Sequence, residues 1–264
     1  MNLDFDPIEY YESYPSRVIL RPGYPARAQY KSTLLWKLYG HHVLNSLGKI
    51  ETYADIGGCF GFGANAMAFQ ISKSQGTYPK TKVFEISEDF VMIGRQLFPF
   101  IDFVQENLAE PNNSSEEIFD LITMFDVIEH VPNPESFLLN VAKRSKYTLL
   151  LTPTETSGDW FGAKPPQKQG REHYDGHVNF FTPKNYLELL KNSGWKLIDG
   201  KFIISLSNIT TKEILVPEER LHIPWREKLV TNLLLTGIVP RSLCRKIIGG
   251  GFHIGLSKSL KCEF

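Results

Sequence analysis

The chain has 264 residues, with 42% hydrophobic content and 29 basic side chains balanced by 29 acidic ones. That length and content suit one α/β domain with its own core, and zero net charge removes the long-range attraction that a nucleic-acid or anionic-membrane partner would need. Three irregularly spaced cysteines, Cys59, Cys244 and Cys262, make neither a disulfide framework nor a zinc site.

The acidic, aromatic start MNLDFDPIEYYESYP lacks the basic and apolar regions of a signal peptide, so a cytoplasmic protein is expected. Residues 1–27 read as an irregular arm. Apolar spacing from Ala28 to Leu47 predicts an amphipathic helix ended by Gly48. Strands and helices then alternate. Strands are expected at Thr52–Ile56, Lys82–Ile86, Ile101–Val104, Phe119–Phe125 and Tyr147–Thr152, with helices at Gly61–Ser72, Glu88–Phe98 and Pro134–Arg144. This order predicts a mostly parallel sheet with helices on both faces. Residues 153–181 form a long loop after a strand end, where loops are commonly functional. Its aromatic and basic residues Trp160, Phe161, Lys164, Arg171 and Tyr174, with Tyr11 of the arm, are expected to cover an acceptor. A helix at Pro183–Asn192, with Thr182 as N-cap, and strands at Trp195–Leu206 and Gly251–Ser257 follow. The apolar stretch Leu229–Val239 is too short and too interrupted to span a bilayer. The expected division is an arm and helix at 1–48, a core at 49–205, and a helical insertion with a closing strand at 206–264.

The first chemical signal is Tyr53-Ala-Asp-Ile-Gly-Gly-Cys-Phe-Gly-Phe-Gly63. A strand ends in a carboxylate, and a glycine-rich turn opens a helix whose N-terminus offers unpaired N–H groups. Glu85, at the end of the second strand, can accept both hydroxyls of a ribose. Together these residues make a nucleoside pocket. Gly61-Phe-Gly63-Ala-Asn-Ala66 also fits a dinucleotide fingerprint, so a nicotinamide oxidoreductase is one reading. Against it, Gly61 sits several residues beyond the strand end, and Asp55 would repel a pyrophosphate. An ammonium-bearing amino-acid moiety suits that turn better.

The stretch Phe119-Asp-Leu-Ile-Thr-Met-Phe-Asp126-Val-Ile-Glu129-His130-Val-Pro-Asn-Pro, together with D-I-G-G-x-x-G, resembles the class I S-adenosylmethionine-dependent methyltransferases. The likeness is to the ubiquinone-biosynthesis O-methyltransferases of the type 23/11 group. It extends to His177-Val-Asn-Phe-Phe181-Thr182 and Leu187-Glu-Leu-Leu-Lys-Asn-Ser-Gly194-Trp195, so it runs in order from about residue 50 to 200. Cys59 departs from the pattern, standing where many members carry glycine. The resemblance implies a Rossmann-like seven-stranded sheet with an antiparallel last strand. It implies that Gly57, Gly58, Cys59 and Gly61 line the methionine end of the cofactor and that Asp55 orders the turn. Glu85 would bind the ribose, Ile86 would flank the adenine and Asn107 would reach its amino group. Phe125 and Asp126 would close the pocket.

Methyl transfer from a sulfonium needs the acceptor positioned and water excluded, and a hydroxyl acceptor also benefits from a base. His130 is the first candidate base and His177 the second, with His173 in the same loop. The expected reaction is O-methylation of a small molecule or saccharide; a catalytically silent methyltransferase-like binding module is the other alternative. Asp126, Glu129, His130 and His177 also resemble the magnesium ligands of small-RNA 2′-O-methyltransferases, although the metal-free reading is preferred.

Overall fold

The computed structural model describes residues 24–108, 117–155, 177–203 and 250–262. In chain order the elements are α1 (Tyr24–Leu47), β1 (Thr52–Ile56), α2 (Phe62–Gln75), β2 (Lys80–Glu85), α3 (Glu88–Leu97), β3 (Asp102–Gln105), β4 (Phe119–Phe125), a short 3₁₀ turn (Ile128–His130), α4 (Pro134–Ala142), β5 (Ser145–Glu155), α5 (Pro183–Asn192), β6 (Trp195–Ile203) and β7 (Gly250–Ser259).

The seven strands form one sheet in the order β3-β2-β1-β4-β5-β7-β6. The first five pair in parallel, and β7 runs antiparallel between β5 and β6. The expected Rossmann-like sheet with an antiparallel last strand is therefore present. Alternation along each strand divides the core in two. Tyr53, Leu121, Leu149 and Leu151 face a cluster built with α1 and α2. Ala54, Ile56, Ile122, Met124 and Leu150 face the other, built with α4 and α5. Burial on both faces is why β4 reads as an almost unbroken apolar run.

The order of winding reverses between β1 and β4, which are parallel neighbours in the sheet. A doubly wound sheet leaves a crevice at the carboxyl ends of its strands at such a switch point. Asp55 comes from the end of β1, and Asp126 immediately follows β4.

Helix α1 begins at Tyr24, four residues earlier than the sequence pattern predicts. Pro25 accounts for the difference, because proline reads as part of an irregular arm. At the first turn of a helix, however, proline is well tolerated, since its missing N–H would have no helical partner. No described helix is long and apolar enough to cross a membrane.

Candidate active site

The glycine turn is held from below by buried polar contacts. Asp55 is 4% exposed and Glu85 5%. The Thr123 hydroxyl donates to Asp55 Oδ1 at 2.5 Å and is itself 2.7 Å from the Tyr53 hydroxyl. Burial pushes the Asp55 carboxyl up to about 7; the Thr123 bond opposes this and the nearby Glu85 adds to it.

Glu85 is more fully engaged. Its Oε2 accepts the Cys59 N–H at 3.0 Å, and its Oε1 accepts those of Ile86 at 2.8 Å and Ser87 at 3.1 Å. Burial raises its pKa, and these three donors restrain the rise. Glu85 thus builds the turn. Ile86 and Asn107 are half-buried just past β2 and β3, and Phe125 is half-buried against the α1–α2 core.

The glycines are required chiefly by the protein's own packing. A Cβ on Gly58 would meet Asp55 Oδ2 and Val83 Cγ1, each at 2.9 Å, and one on Gly61 would meet Phe103 Cζ at 2.5 Å. Gly61 also has φ +84, in the left-handed region. Cys59 adopts φ 48, a conformation that favours glycine, so the departure from the family pattern leaves one strained residue. Burial, then the Glu85 charge, raises the Cys59 thiol far above its usual range, which disfavours the thiolate.

Two residues that sequence reasoning missed close this half of the site from α1. Tyr24 packs edge-on against Phe60 and Phe62, with ring centroids 5.9 and 6.4 Å away. Lys31, seven residues later and so on the same helical face, forms an ion pair with Asp126 Oδ2. That spacing was the available signal, but it lay across the misplaced helix start.

The other half follows β4. Asp126 has φ 56, and its N–H donates to Leu151 O at 2.9 Å. This kink turns the chain into the 3₁₀ turn that carries Glu129 and His130. The N–H groups of Val178 and Asn179 donate to Glu129 O at 2.8 and 2.9 Å. The Asn179 side chain donates to Ile128 O at 3.3 Å and Val131 O at 2.6 Å. These four bonds place His177 beside His130, with ring centroids 4.8 Å apart and nearly perpendicular. Asn179 is thus a third residue missed as a site element; the H-V-N-F-F-T segment that contains it was its signal.

Glu129 is 1% exposed, and neither carboxylate oxygen has a hydrogen-bond partner among the described residues. His130 Nε2 lies 3.8 Å from its Oε1. Burial, then the Asp126 charge, holds the Glu129 pKa well above the carboxylate range. Ligand atoms of Glu129, His130 and His177 lie within 4.8 Å of one another, a grouping able to hold a metal ion. Asp126, expected as a fourth ligand, is outside that group, and its carboxylate pairs with Lys31 instead. His173, Trp160, Phe161, Lys164, Arg171, Tyr174 and Tyr11 lie outside the described residues.

A glycine turn under buried carboxylates, on a sheet ordered 3-2-1-4-5-7-6, defines the S-adenosylmethionine-binding methyltransferase fold. The chain belongs to the methyltransferase-domain family, whose model matches residues 55–199. Among curated proteins, no sequence matches significantly. Solved structures share the fold at low identity. Phosphoethanolamine N-methyltransferase 2 of Haemonchus contortus is 12% identical with a TM-score of 0.54, over 90% of this chain and 58% of that one. Geranyl diphosphate C-methyltransferase of Streptomyces coelicolor is 10% identical with a TM-score of 0.53, over 84% and 77%. The [4+2]-cyclase SpnF is 12% identical with a TM-score of 0.55, over 86% and 81%.

Proposed function

We propose that the chain is an S-adenosylmethionine-dependent methyltransferase that methylates a hydroxyl of a small molecule or saccharide. The observation that carries this reading is the juxtaposition of the His130 and His177 imidazoles just after β4. The residues present fit the cofactor. Asp126 Oδ1 is buried and has no hydrogen-bond partner among the described residues, so it offers an acceptor to an ammonium. Glu85 faces the position of a ribose. Ile86 and Asn107 flank the adenine side, and Gly57, Gly58, Cys59 and Gly61 give the methionine side a close backbone.

The bound cofactor supplies a methyl group already activated on sulfur. The chain's own residues do the rest. Tyr24 and α1 exclude water from the turn. His130 or His177 accepts the acceptor's proton, and the second imidazole orients the first. Burial, then the neighbouring Asp126 charge, raises the Glu129 pKa beside this pair.

A metal-assisted version is a second reading, favoured by the Glu129–His130–His177 grouping. Those three side chains would hold a divalent ion, which lowers the pKa of a bound hydroxyl. The likeness to SpnF keeps a third reading in view, since the same fold serves a protein whose reaction is a cyclisation.

The deciding experiment is incubation of the protein with labelled S-adenosylmethionine and a cell extract, followed by identification of the labelled product. A methyl ether on a small molecule or sugar is expected. Cofactor binding with no transfer to any extract component would favour the silent module. Full transfer after exhaustive chelation, with no gain on adding magnesium or manganese, would remove the metal.

A further inference from the structure

The aromatic rings around the glycine turn continue outward to the surface. Phe90 and Phe60, both 1% exposed, pack edge-on with centroids 4.6 Å apart. Tyr24 lies 5.9 Å from Phe60 and 6.4 Å from Phe62, Phe98 lies 5.3 Å from Phe62, and Phe100 lies 6.1 Å from Phe98. Each neighbouring pair meets edge to face, a favourable arrangement for aromatic rings. The row joins the turn to α1, α2 and the segment between α3 and β3.

Its inner end is core and its outer end is not. Phe62 and Phe98 are half-buried, and Phe98 abuts the turn, since a Cβ on Gly61 would come within 3.3 Å of its ring. Phe100 is 66% exposed, and Leu97, at the end of α3, is 48% exposed. Exposed apolar residues scattered singly need no explanation, whereas a row of rings that opens onto solvent beside an exposed leucine marks a surface that another apolar group covers.

Where the chain enters the described residues points to the occupant. Residues 1–23 lie outside them, and the first described residue, Tyr24, is itself a member of the row. Shortly before it stand Val18, Ile19 and Leu20, the one run of three aliphatic residues ahead of Tyr24. Arg21-Pro22-Gly23-Tyr24 carries proline and glycine at the two central positions that a type II turn favours, and such a turn folds the chain back. It keeps Arg21 within about 7 Å of Tyr24, and each earlier residue adds about 3.3 Å. Residues 20 to 18 therefore reach roughly 10 to 17 Å from Tyr24. Two ring-to-ring steps from Tyr24 reach Phe98 and three reach Phe100, which is the same range.

We propose that the surface of Phe98 and Phe100 is the docking site for residues 18–20 of the same chain, whose aliphatic side chains cover the open end of the row. The docked segment braces Phe98, and through it Gly61 and Phe62 where the turn enters α2. This assignment stands on packing alone and is independent of the ligand that the crevice takes.

Limited trypsin digestion of the full chain tests it at the bond between Arg17 and Val18, because Arg21 precedes proline and resists the enzyme. A docked segment is cut only when it opens, so the cleavage rate follows the open population. Phe100→Ser and Ile19→Ser should each raise the rate at that bond about tenfold or more, the scale expected for one lost apolar contact of this size. The double variant should be within about twofold of the faster single variant, because both substitutions remove the same contact. Tyr78→Ser, at a residue 61% exposed just past the end of α2 and outside the row, should leave the rate within about twofold of native. Equal rates for the native protein and Phe100→Ser would overturn the proposal. Acceleration by Phe100→Ser but not Ile19→Ser, or equal acceleration by Tyr78→Ser, would do the same. So would self-association of the native chain that Phe100→Ser abolishes, seen by sedimentation over a concentration series, since the surface would then belong to a second copy.

Discussion

Glu85 carries two duties that pull a substitution in different directions. Its oxygens accept three backbone N–H groups, from Cys59, Ile86 and Ser87, and the ribose of a cofactor would approach the same carboxylate. Glu85→Ala therefore orphans three donors around a buried turn, and an expected loss of roughly 2 kcal/mol or more follows from unsatisfied groups alone. Glu85→Gln keeps acceptor capacity on one oxygen and should cost less stability while still weakening the cofactor. Denaturant unfolding of both variants, with and without S-adenosylhomocysteine, separates the duties. An Ala variant as stable as the native protein would contradict the hydrogen-bond pattern. The place of this carboxylate at the end of a strand was legible in the sequence. Its role in the turn was not, since backbone donors leave no mark on residue type. Cys59 shows the same limit. The sequence shows that cysteine stands there, whereas only the structure shows that it adopts φ 48, in the left-handed region that glycine favours.

At the level of elements, the segment after the 3₁₀ turn decides whether the two imidazoles meet. Asn179 ties its side chain to two carbonyls of that turn, and Glu129 O accepts the N–H groups of Val178 and Asn179. Asn179→Ala removes both side-chain bonds, a loss of about 1–3 kcal/mol, and loosens His177 relative to His130. The expected result is a fall in kcat larger than any change in cofactor affinity, read from steady-state kinetics beside calorimetry. An unchanged kcat would show that His177 is positioned without Asn179. Most elements were legible: β1, β4 and α5 end where apolar period, caps and prolines placed them. The start of α1 was not, because Tyr24 and Pro25 carry turn chemistry as well as helix-start chemistry. That short misreading hid Tyr24 and Lys31, which lie on one face only if the helix includes both.

Across the whole molecule, the alternation of strands and helices fixes a parallel sheet, but the place of β7 depends on pairing partners that no local pattern reveals. Its antiparallel insertion between β5 and β6 needs the registers Leu149↔Leu256 and Trp195↔Ser259. The same global packing buries several carboxyls around one crevice, and this couples folding to pH. Asp55 is raised to about 7 from an ordinary value of 3.8, mainly by burial. The folded protein therefore holds a proton on Asp55 that the unfolded chain releases, and stability falls as pH rises from about 4 through 7. Glu85 and Glu129 are raised as well and act with the same sign. His253 opposes them: burial lowers its pKa from 6.5 to about 4, so between those two values its contribution to stability rises with pH. A total stability curve mixes these effects, whereas the difference between native protein and Asp55→Asn isolates the first. The substituted amide cannot ionise and can still accept the Thr123 hydroxyl hydrogen bond. Between about pH 5 and 6 the native protein should lose stability relative to Asp55→Asn by about 1.4 kcal/mol per pH unit, the slope halving near pH 7, and above about pH 8 the difference should be flat. Urea denaturation at closely spaced pH values measures this directly, and parallel curves for the two proteins would mean that Asp55 ionises normally in the folded state. S-adenosylmethionine, which carries a sulfonium charge, should reverse part of the loss, because a cation beside Asp55 favours its ionised form.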